Sequence, residues 1–135
     1  MKIVVDTYAW IEIFIGSKKG QKARDHIEKA TEVYTPDTVL AEIARKYLRE
    51  GSNQDDIKDR LRTIMEASDI TPIDMEVALE AAGCYMLLTD EAKKQGLKAP
   101  SLFDAIVLAS SRLLEGKVLT GDEHLKGLPE ILWMG

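Results

Sequence analysis

The sequence predicts an α/β fold: a three-layer α/β/α sandwich around a central, mainly parallel sheet of roughly five strands. Three observations carry that expectation. The short run Ile3-Val4-Val5 is continuously β-branched, as a strand buried on both faces is, and Lys117-Val118-Leu119-Thr120 is again a short strand. Stretches of helical periodicity separate the short strands along the chain, which is the pattern of parallel β-α-β units. The length, 135 residues, suits one domain over residues 1–135 with a single core.

Taken in order, Ile3 to Val5 reads as a first strand, with Asp6 at its C-terminal end. Thr7 to Ile15 follows as a helix that Asp6 is placed to cap and Gly16 to stop. Lys18 to Ala30 reads as a second, strongly polar helix. Glu32 to Thr35 is a weakly marked second strand. Pro36-Asp37-Thr38 then starts a helix with apolar face Val39, Leu40, Ile43, Ala44, Tyr47 and Leu48, ended by Gly51. Ile57, Leu61, Ile64 and Met65 lie at helical spacing within residues 53–67, after a cap at Ser52 or Asn53. Ile70 to Ile73 is short enough for a strand, and Pro72 confines it to an edge or a strand end. Met75 to Gln95 is a long helix with Val77, Ala78, Ala81, Ala82, Tyr85 and Leu88 on one side. Ser101 to Leu114 is apolar nearly all round and therefore a central, buried helix. Lys117 to Thr120 and Ile131 to Trp133 complete the strands. No repeat, low-complexity tract or linker interrupts this series.

Composition narrows the function classes. With 45% hydrophobic and 30% charged residues the chain is a globular protein, not a disordered or fibrous one. No stretch approaches the roughly 18 apolar residues of a membrane span, and the early Lys2 is out of place in a secretory leader. Cys84, the only cysteine, excludes an intramolecular disulfide and reads as core, so a cytoplasmic location is expected. The net charge of −5 argues at face value against gripping nucleic acid by bulk charge. That charge is uneven: seven acidic residues and no basic one lie between Thr63 and Ala92, leaving 16 acidic and 18 basic elsewhere.

Four carboxylates stand out. Asp104 is the only charge in Leu102-Phe103-Asp104-Ala105-Ile106-Val107-Leu108-Ala109. A buried carboxylate needs a partner or a metal, yet Ser101-x-x-Asp104 also matches a capping box that would occupy it at the helix start. Asp6 has the alternative of a helix cap, and Asp122 that of a turn residue or cap after Thr120-Gly121. Glu42 has that of an i,i+4 ion pair with Lys46. Their joint placement says more than any one of them. In a parallel α/β sheet ligands bind beyond the C-terminal strand ends, where Asp6 and Asp122 fall. Two carboxylates about 4 Å apart repel by about 4 kcal/mol at an effective dielectric of about 20, so a converging set takes up protons or metal. Oxygen-only ligands call for Mg²⁺ or Mn²⁺. Zinc is disfavoured, because the chain has only His26, a surface helix residue, and His124, at most near the site.

With these residues in view, the chain resembles the PIN-domain family of small metal-dependent ribonucleases, which includes VapC-type toxins of toxin–antitoxin pairs. The resemblance runs along essentially the whole chain. Its segments are Val4-Val5-Asp6-Thr7, Val39-Leu40-Ala41-Glu42-Ile43, Ser101-Leu102-Phe103-Asp104-Ala105 and Leu119-Thr120-Gly121-Asp122-Glu123-His124-Leu125. It implies an acidic quartet of Asp6, Glu42, Asp104 and Asp122, with accessory hydroxyls on Thr7 and Thr120. Asp6 and Asp104 would coordinate the main ion, and Glu42 and Asp122 would complete the site or bridge to a second. The resemblance further implies an RNA substrate, an antitoxin partner and a homodimer. For phosphate contact the candidates are Arg45, Lys46 and Arg49 after Glu42, and Lys18, Lys19, Lys22 and Arg24 after the first helix; an ordinary solvated helix face is the alternative. Tyr8 and Trp10 are placed to stack on bases near Asp6, although periodicity puts Trp10 in the core.

Competing readings are a PIN-like binding module without turnover, a stand-alone RNA-processing PIN ribonuclease, and an aspartyl-phosphate phosphatase or receiver domain. The complete carboxylate set counts against the first. Tyr8, where a phosphatase would carry a second Asp, counts against the last, as does the absence of a receiver's acidic pair and late lysine.

Overall fold

The computed structural model describes residues 1–135. Its elements are β1 (Lys2–Val5), α1 (Thr7–Ile15), α2 (Lys18–Lys29), β2 (Glu32–Pro36), α3 (Asp37–Arg49), α4 (Gln54–Ala67), β3 (Asp69–Thr71), α5 (Met75–Gln95), α6 (Leu102–Leu114), β4 (Lys117–Thr120) and β5 (Ile131–Trp133). The five strands form one sheet in the order β3-β2-β1-β4-β5, and all four pairings are parallel. The expected three-layer α/β/α sandwich is therefore the observed fold. Successive right-handed crossovers place α1 to α4 on one face and α5 and α6 on the other. Strand order reverses between β1 and β4, so the crevice beyond their C-terminal ends opens where Asp6 and Asp122 stand.

The core follows the sequence pattern. Ile3, Val4 and Val5 of β1 and Val118 and Leu119 of β4 are essentially inaccessible, because helices cover both faces of the central strands. In α6 seven consecutive residues, Ala105 to Ser111, are buried, as a helix apolar all round requires. On α5 the buried stripe is Val77, Ala81, Cys84, Leu88 and Ala92. Ala78 and Ala82, expected on that side, are exposed, since the packed line follows the i, i+4, i+7 row through Cys84.

A buried polar relay explains why β2 is weakly marked yet ordered. The Ser68 hydroxyl donates to the Ile64 carbonyl at 2.8 Å, so Thr35 must donate its proton to Ser68 at 2.7 Å, and Trp10 Nε1–H donates to Thr35 Oγ1 at 3.2 Å. Every proton in that chain is used, and Trp10 is locked in the core at 2% exposure, as its periodicity indicates.

The tightest backbone approach joins α1 to α2. A Cβ on Gly20 would lie 2.0 Å from the Glu12 carbonyl oxygen and 2.9 Å from the Ile13 nitrogen. Gly20→Ala is accordingly expected to cost about 1–3 kcal/mol, the scale of overpacking a rigid contact. Chemical denaturation would check it, and a variant within 0.5 kcal/mol of the parent would be inconsistent with this packing.

Candidate metal centre

Each of the four carboxylates is positioned by the start or face of an element. Asp6 ends β1 and caps α1: its Oδ1 accepts the Ala9 N–H at 2.9 Å, and its Oδ2 accepts the Thr120 hydroxyl at the end of β4. The cap and the site carboxylate are thus the same group. Asp104 likewise closes a capping box on α6, accepting the Ser101 N–H at 3.0 Å. Glu42 faces inward from α3, where its Oε1 accepts the Thr7 hydroxyl at 2.7 Å. The expected alternative of a Glu42–Lys46 pair is not formed; Lys46 pairs with Glu50 at 3.1 Å. Asp122, in the turn after β4, receives the His124 N–H at 2.9 Å, and its own N–H donates to Thr120 Oγ1 at 2.9 Å.

Asp6 and Asp122 are tied through the Thr120 hydroxyl, while the group close enough to share one ion is Asp104, Asp122 and His124, without Asp6 or Glu42. The fields of Asp104 and Asp122 reach both Asp6 and Glu42. Ligand atoms of Asp104, Asp122 and His124 all lie within 4.8 Å of one another. Burial, above all, pushes the Asp6 carboxyl up to about 7, against the opposing hydrogen bonds from Thr120 and Ala9. Burial also raises Glu42 and Asp104, Glu42 with help from the charge of Asp104 and Asp104 with help from that of Asp122.

His124 was undervalued by sequence reasoning. Its Nε2 lies 2.8 Å from the Lys98 carbonyl and its Nδ1 3.1 Å from Asp122 Oδ1. Both partners offer acceptor oxygens, so the surroundings favour the protonated ring, which alone donates from both nitrogens. Burial pulls its pKa down, but the Lys98 carbonyl and Asp122 outweigh it and the net shift is upward. One imidazolium does not neutralise four carboxylates.

The donor set fits a hard divalent cation. Glu42, Asp104 and Asp122 each spend one oxygen on protein hydrogen bonds and keep the other free for an ion or its waters.

The basic candidates separate. Arg45 stands over the Phe103 ring at 5.9 Å and its charge acts on Glu42, so it borders the cluster. Lys22 and Arg49 are exposed on α2 and at the end of α3. Arg24 lines a separate cleft with Phe14, Tyr47 and Arg60 that contains none of the four carboxylates. Lys126 and Trp133, which sequence reasoning passed over, line a cleft with Lys19, Tyr8, Asp122 and His124. Their only sequence signal is a lysine and a tryptophan in an otherwise unremarked C-terminal segment.

Among solved structures, the chain is similar to one in a toxin–antitoxin complex from Klebsiella pneumoniae, at 19% identity and TM-score 0.72, covering 98% of each chain. It is similar to VapC20 of Mycobacterium tuberculosis, a sarcin–ricin loop cleaving toxin, at 18% identity and TM-score 0.69, covering 96% of this chain and 98% of that one. A third similarity is to a chain of VapBC-1 from nontypeable Haemophilus influenzae, at 14% identity and TM-score 0.70, covering 98% and 96%. At these identities the likeness speaks for the fold. No curated protein matches. The PIN domain, however, matches over residues 3–131, a span that takes in all four carboxylates and nearly the whole sheet. The chain belongs to the PIN domain family.

Proposed function

We propose that this protein is a Mg²⁺- or Mn²⁺-dependent endoribonuclease that hydrolyses RNA phosphodiester bonds, and that it is the toxin of a type II toxin–antitoxin pair. What supports the reading is that Asp6 and Asp122 stand at the strand-order reversal and that the charges of Asp104 and Asp122 act on both Asp6 and Glu42. Asp6 and Asp104 would hold the main ion, and Glu42 and Asp122 would complete the site or share a second. When bound, the cation supplies Lewis-acid polarisation of the phosphodiester, a lowered pKa for an attacking water and neutralisation of the leaving oxygen.

The chain's own groups orient that chemistry. Thr7 fixes the rotamer of Glu42, and Thr120 aligns Asp6 with the Asp122 turn. The capping box holds Asp104 on the rigid first turn of α6. Arg45 is the basic residue best placed for substrate phosphate. Lys46, Arg49, Lys22 and Arg24 would contact RNA farther out, and the exposed Lys46–Glu50 pair is weak enough to exchange for a phosphate. Outside the acidic Thr63–Ala92 segment and the four carboxylates the chain carries +6, which suits an RNA partner once metal is present.

The toxin role and the antitoxin partner draw support from a structural neighbour described as a toxin–antitoxin complex, and a homodimer is part of the same proposal. The exposed Leu48 on α3 offers apolar surface to a second copy or to the antitoxin. No helix is long and apolar enough to cross a membrane, and with a single buried cysteine the proposed setting is the cytoplasm.

Thermal melts with and without Mn²⁺ test the metal centre. Saturation to about 100 times Kd adds about 2.7 kcal/mol, a rise of several degrees in Tm. Asp104→Asn is expected to remove that rise, and to remove cleavage of a pool of structured RNAs. Absence of any shift at millimolar Mn²⁺, or equal cleavage by the two proteins, would overturn the reading.

A further inference from the structure

We infer that the cleft between Tyr8 and Trp133 is a nucleobase subsite that takes an unpaired nucleotide of RNA beside the cut phosphate. The inference rests on the nuclease reading above and adds where a base beside the cut phosphate is held.

Position comes first. The cleft has a volume of about 630 Å³, and Asp122, Glu123 and His124 form part of its wall, so it adjoins the candidate site through Asp122. That volume falls in the roughly 300–1,000 Å³ range of small-ligand sites. Its two aromatic walls are held in different ways. A Cβ on Gly121 would lie 2.3 Å from Tyr8 Cε1 and 2.8 Å from Cζ, so only glycine at the end of β4 lets the Tyr8 ring lie there. Lys19 Nζ then donates to the Tyr8 hydroxyl at 3.2 Å. Trp133 on β5, which also lines the cleft, is half-buried, makes no side-chain hydrogen bond, and has the Lys126 ammonium 5.0 Å from its ring centroid. Trp10 is buried with its N–H satisfied, which leaves Trp133 as the accessible tryptophan.

Chemistry then selects the ligand. Aromatic faces paired with exposed ammonium groups are what single-stranded nucleic acid sites use: the rings stack on bases and the cations meet the backbone. Lys19 and Lys126 would supply two phosphate contacts, while Asp122 and Glu123 in the wall would repel an anion that brought no cation with it. A base within a duplex has both faces covered by its neighbours, so only an unstacked nucleotide reaches Trp133.

The full chain carrying Asp104→Asn, in Mg²⁺, tests the subsite with a short single-stranded oligoribonucleotide and its blunt duplex. The single strand is expected to quench Trp133 emission, and the duplex to leave it unchanged. By anisotropy of labelled RNA, Trp133→Ala should weaken binding roughly 5- to 100-fold, the scale of losing one stacked base, and Trp133→Phe should recover most of it. Lys19→Ala and Lys126→Ala should each flatten the slope of log K against log salt by about 0.7. Equal affinity of Trp133→Ala and its parent, equal quenching by the duplex, or no response to RNA at all would overturn the inference. The two readings fail separately. Without a metal-dependent nuclease there is no Mn²⁺ shift and no cleavage, whatever RNA does to Trp133. Without the subsite, metal-dependent cleavage persists and Trp133→Ala, on the otherwise native chain, cuts single-stranded and duplex RNA as the parent does.

Discussion

Asp6→Asn is expected to stabilise the metal-free protein at pH 8 by up to about 4 kcal/mol, although it alters a fully buried residue of the site. Asp6 carries an ordinary carboxyl pKa of 3.8 when the chain is unfolded and about 7 when folded. The folded state therefore binds the proton more tightly. That contribution is fully present below about pH 4 and is lost as pH rises through 7, leaving a buried charge whose field partners are Asp122 and Asp104. Asn carries no charge and still offers an oxygen to the Ala9 N–H, so the cap on α1 survives. In EDTA the parent should melt lower at pH 8 than at pH 5. Asp6→Asn should raise the pH 8 midpoint by roughly 10 °C and shrink the difference between the two pH values. The slope should not vanish, because Glu42, Asp104 and His124 are also shifted upward and contribute with the same sign. In Mn²⁺ the ranking should invert, since the ion supplies the missing charge to the parent only. A variant that keeps the parent's difference between pH 5 and pH 8 would show that ionising Asp6 does not carry this cost.

The same residue shows why sequence reasoning reached some of this site and not all. Asp6 and Asp104 each had a capping role and a ligand role as rival readings, and the structure makes the two compatible. A cap fixes a carboxylate by one oxygen or one lone pair, and position at the sheet's switch point decides what the remainder faces. Local signals sufficed for the first strand: Ile3 to Val5 leave no polar face for solvent, so a strand buried on both faces was expected and is observed. Local signals failed where a partner comes from far along the chain. Glu42 had Lys46 one turn away, yet it bonds Thr7, 35 residues earlier, because α3 turns that face toward α1. His124 meets the Lys98 carbonyl 26 residues back, and nothing in the spacing of either announces it. Lys126 and Trp133 reach the site only because the segment after β4 folds back beside Tyr8 and Lys19. On α5 Val77, Ala81 and Leu88 fall on the packed side as expected, while Ala78 and Ala82 are exposed, because spacing alone does not separate them from the buried row without knowing where α6 lies.

Thr120→Val is expected to be the most informative change outside the carboxylates. Thr120 is fully buried, and its hydroxyl serves two neighbours at once: it donates to Asp6 Oδ2 and accepts the Asp122 N–H at 2.9 Å. Valine fills the same volume with no hydrogen bond, so the variant loses contacts without leaving a cavity. Two polar groups then lose their partner, at about 2–4 kcal/mol together, one of them a carboxylate. The donated bond also holds Asp6 below the pKa that burial alone would impose. Removing it pushes Asp6 further upward, which makes the metal-free protein lose more stability at pH 8, where the group must ionise, than at pH 5, where it keeps its proton. With Asp6 less readily ionised and the Asp122 turn untethered, metal affinity should fall roughly 10- to 100-fold, the scale of losing a hydrogen bond that orients a metal ligand. Thr120→Ser keeps the hydroxyl and should restore most of the affinity while giving up one buried methyl. Mn²⁺ titrations followed by melting, at both pH values, separate the possibilities. If Thr120 merely packs, Val should be the better replacement and the loss with Ser should not depend on pH; if its hydroxyl sets the charge state of Asp6, Ser should outperform Val by a margin that widens from pH 5 to pH 8.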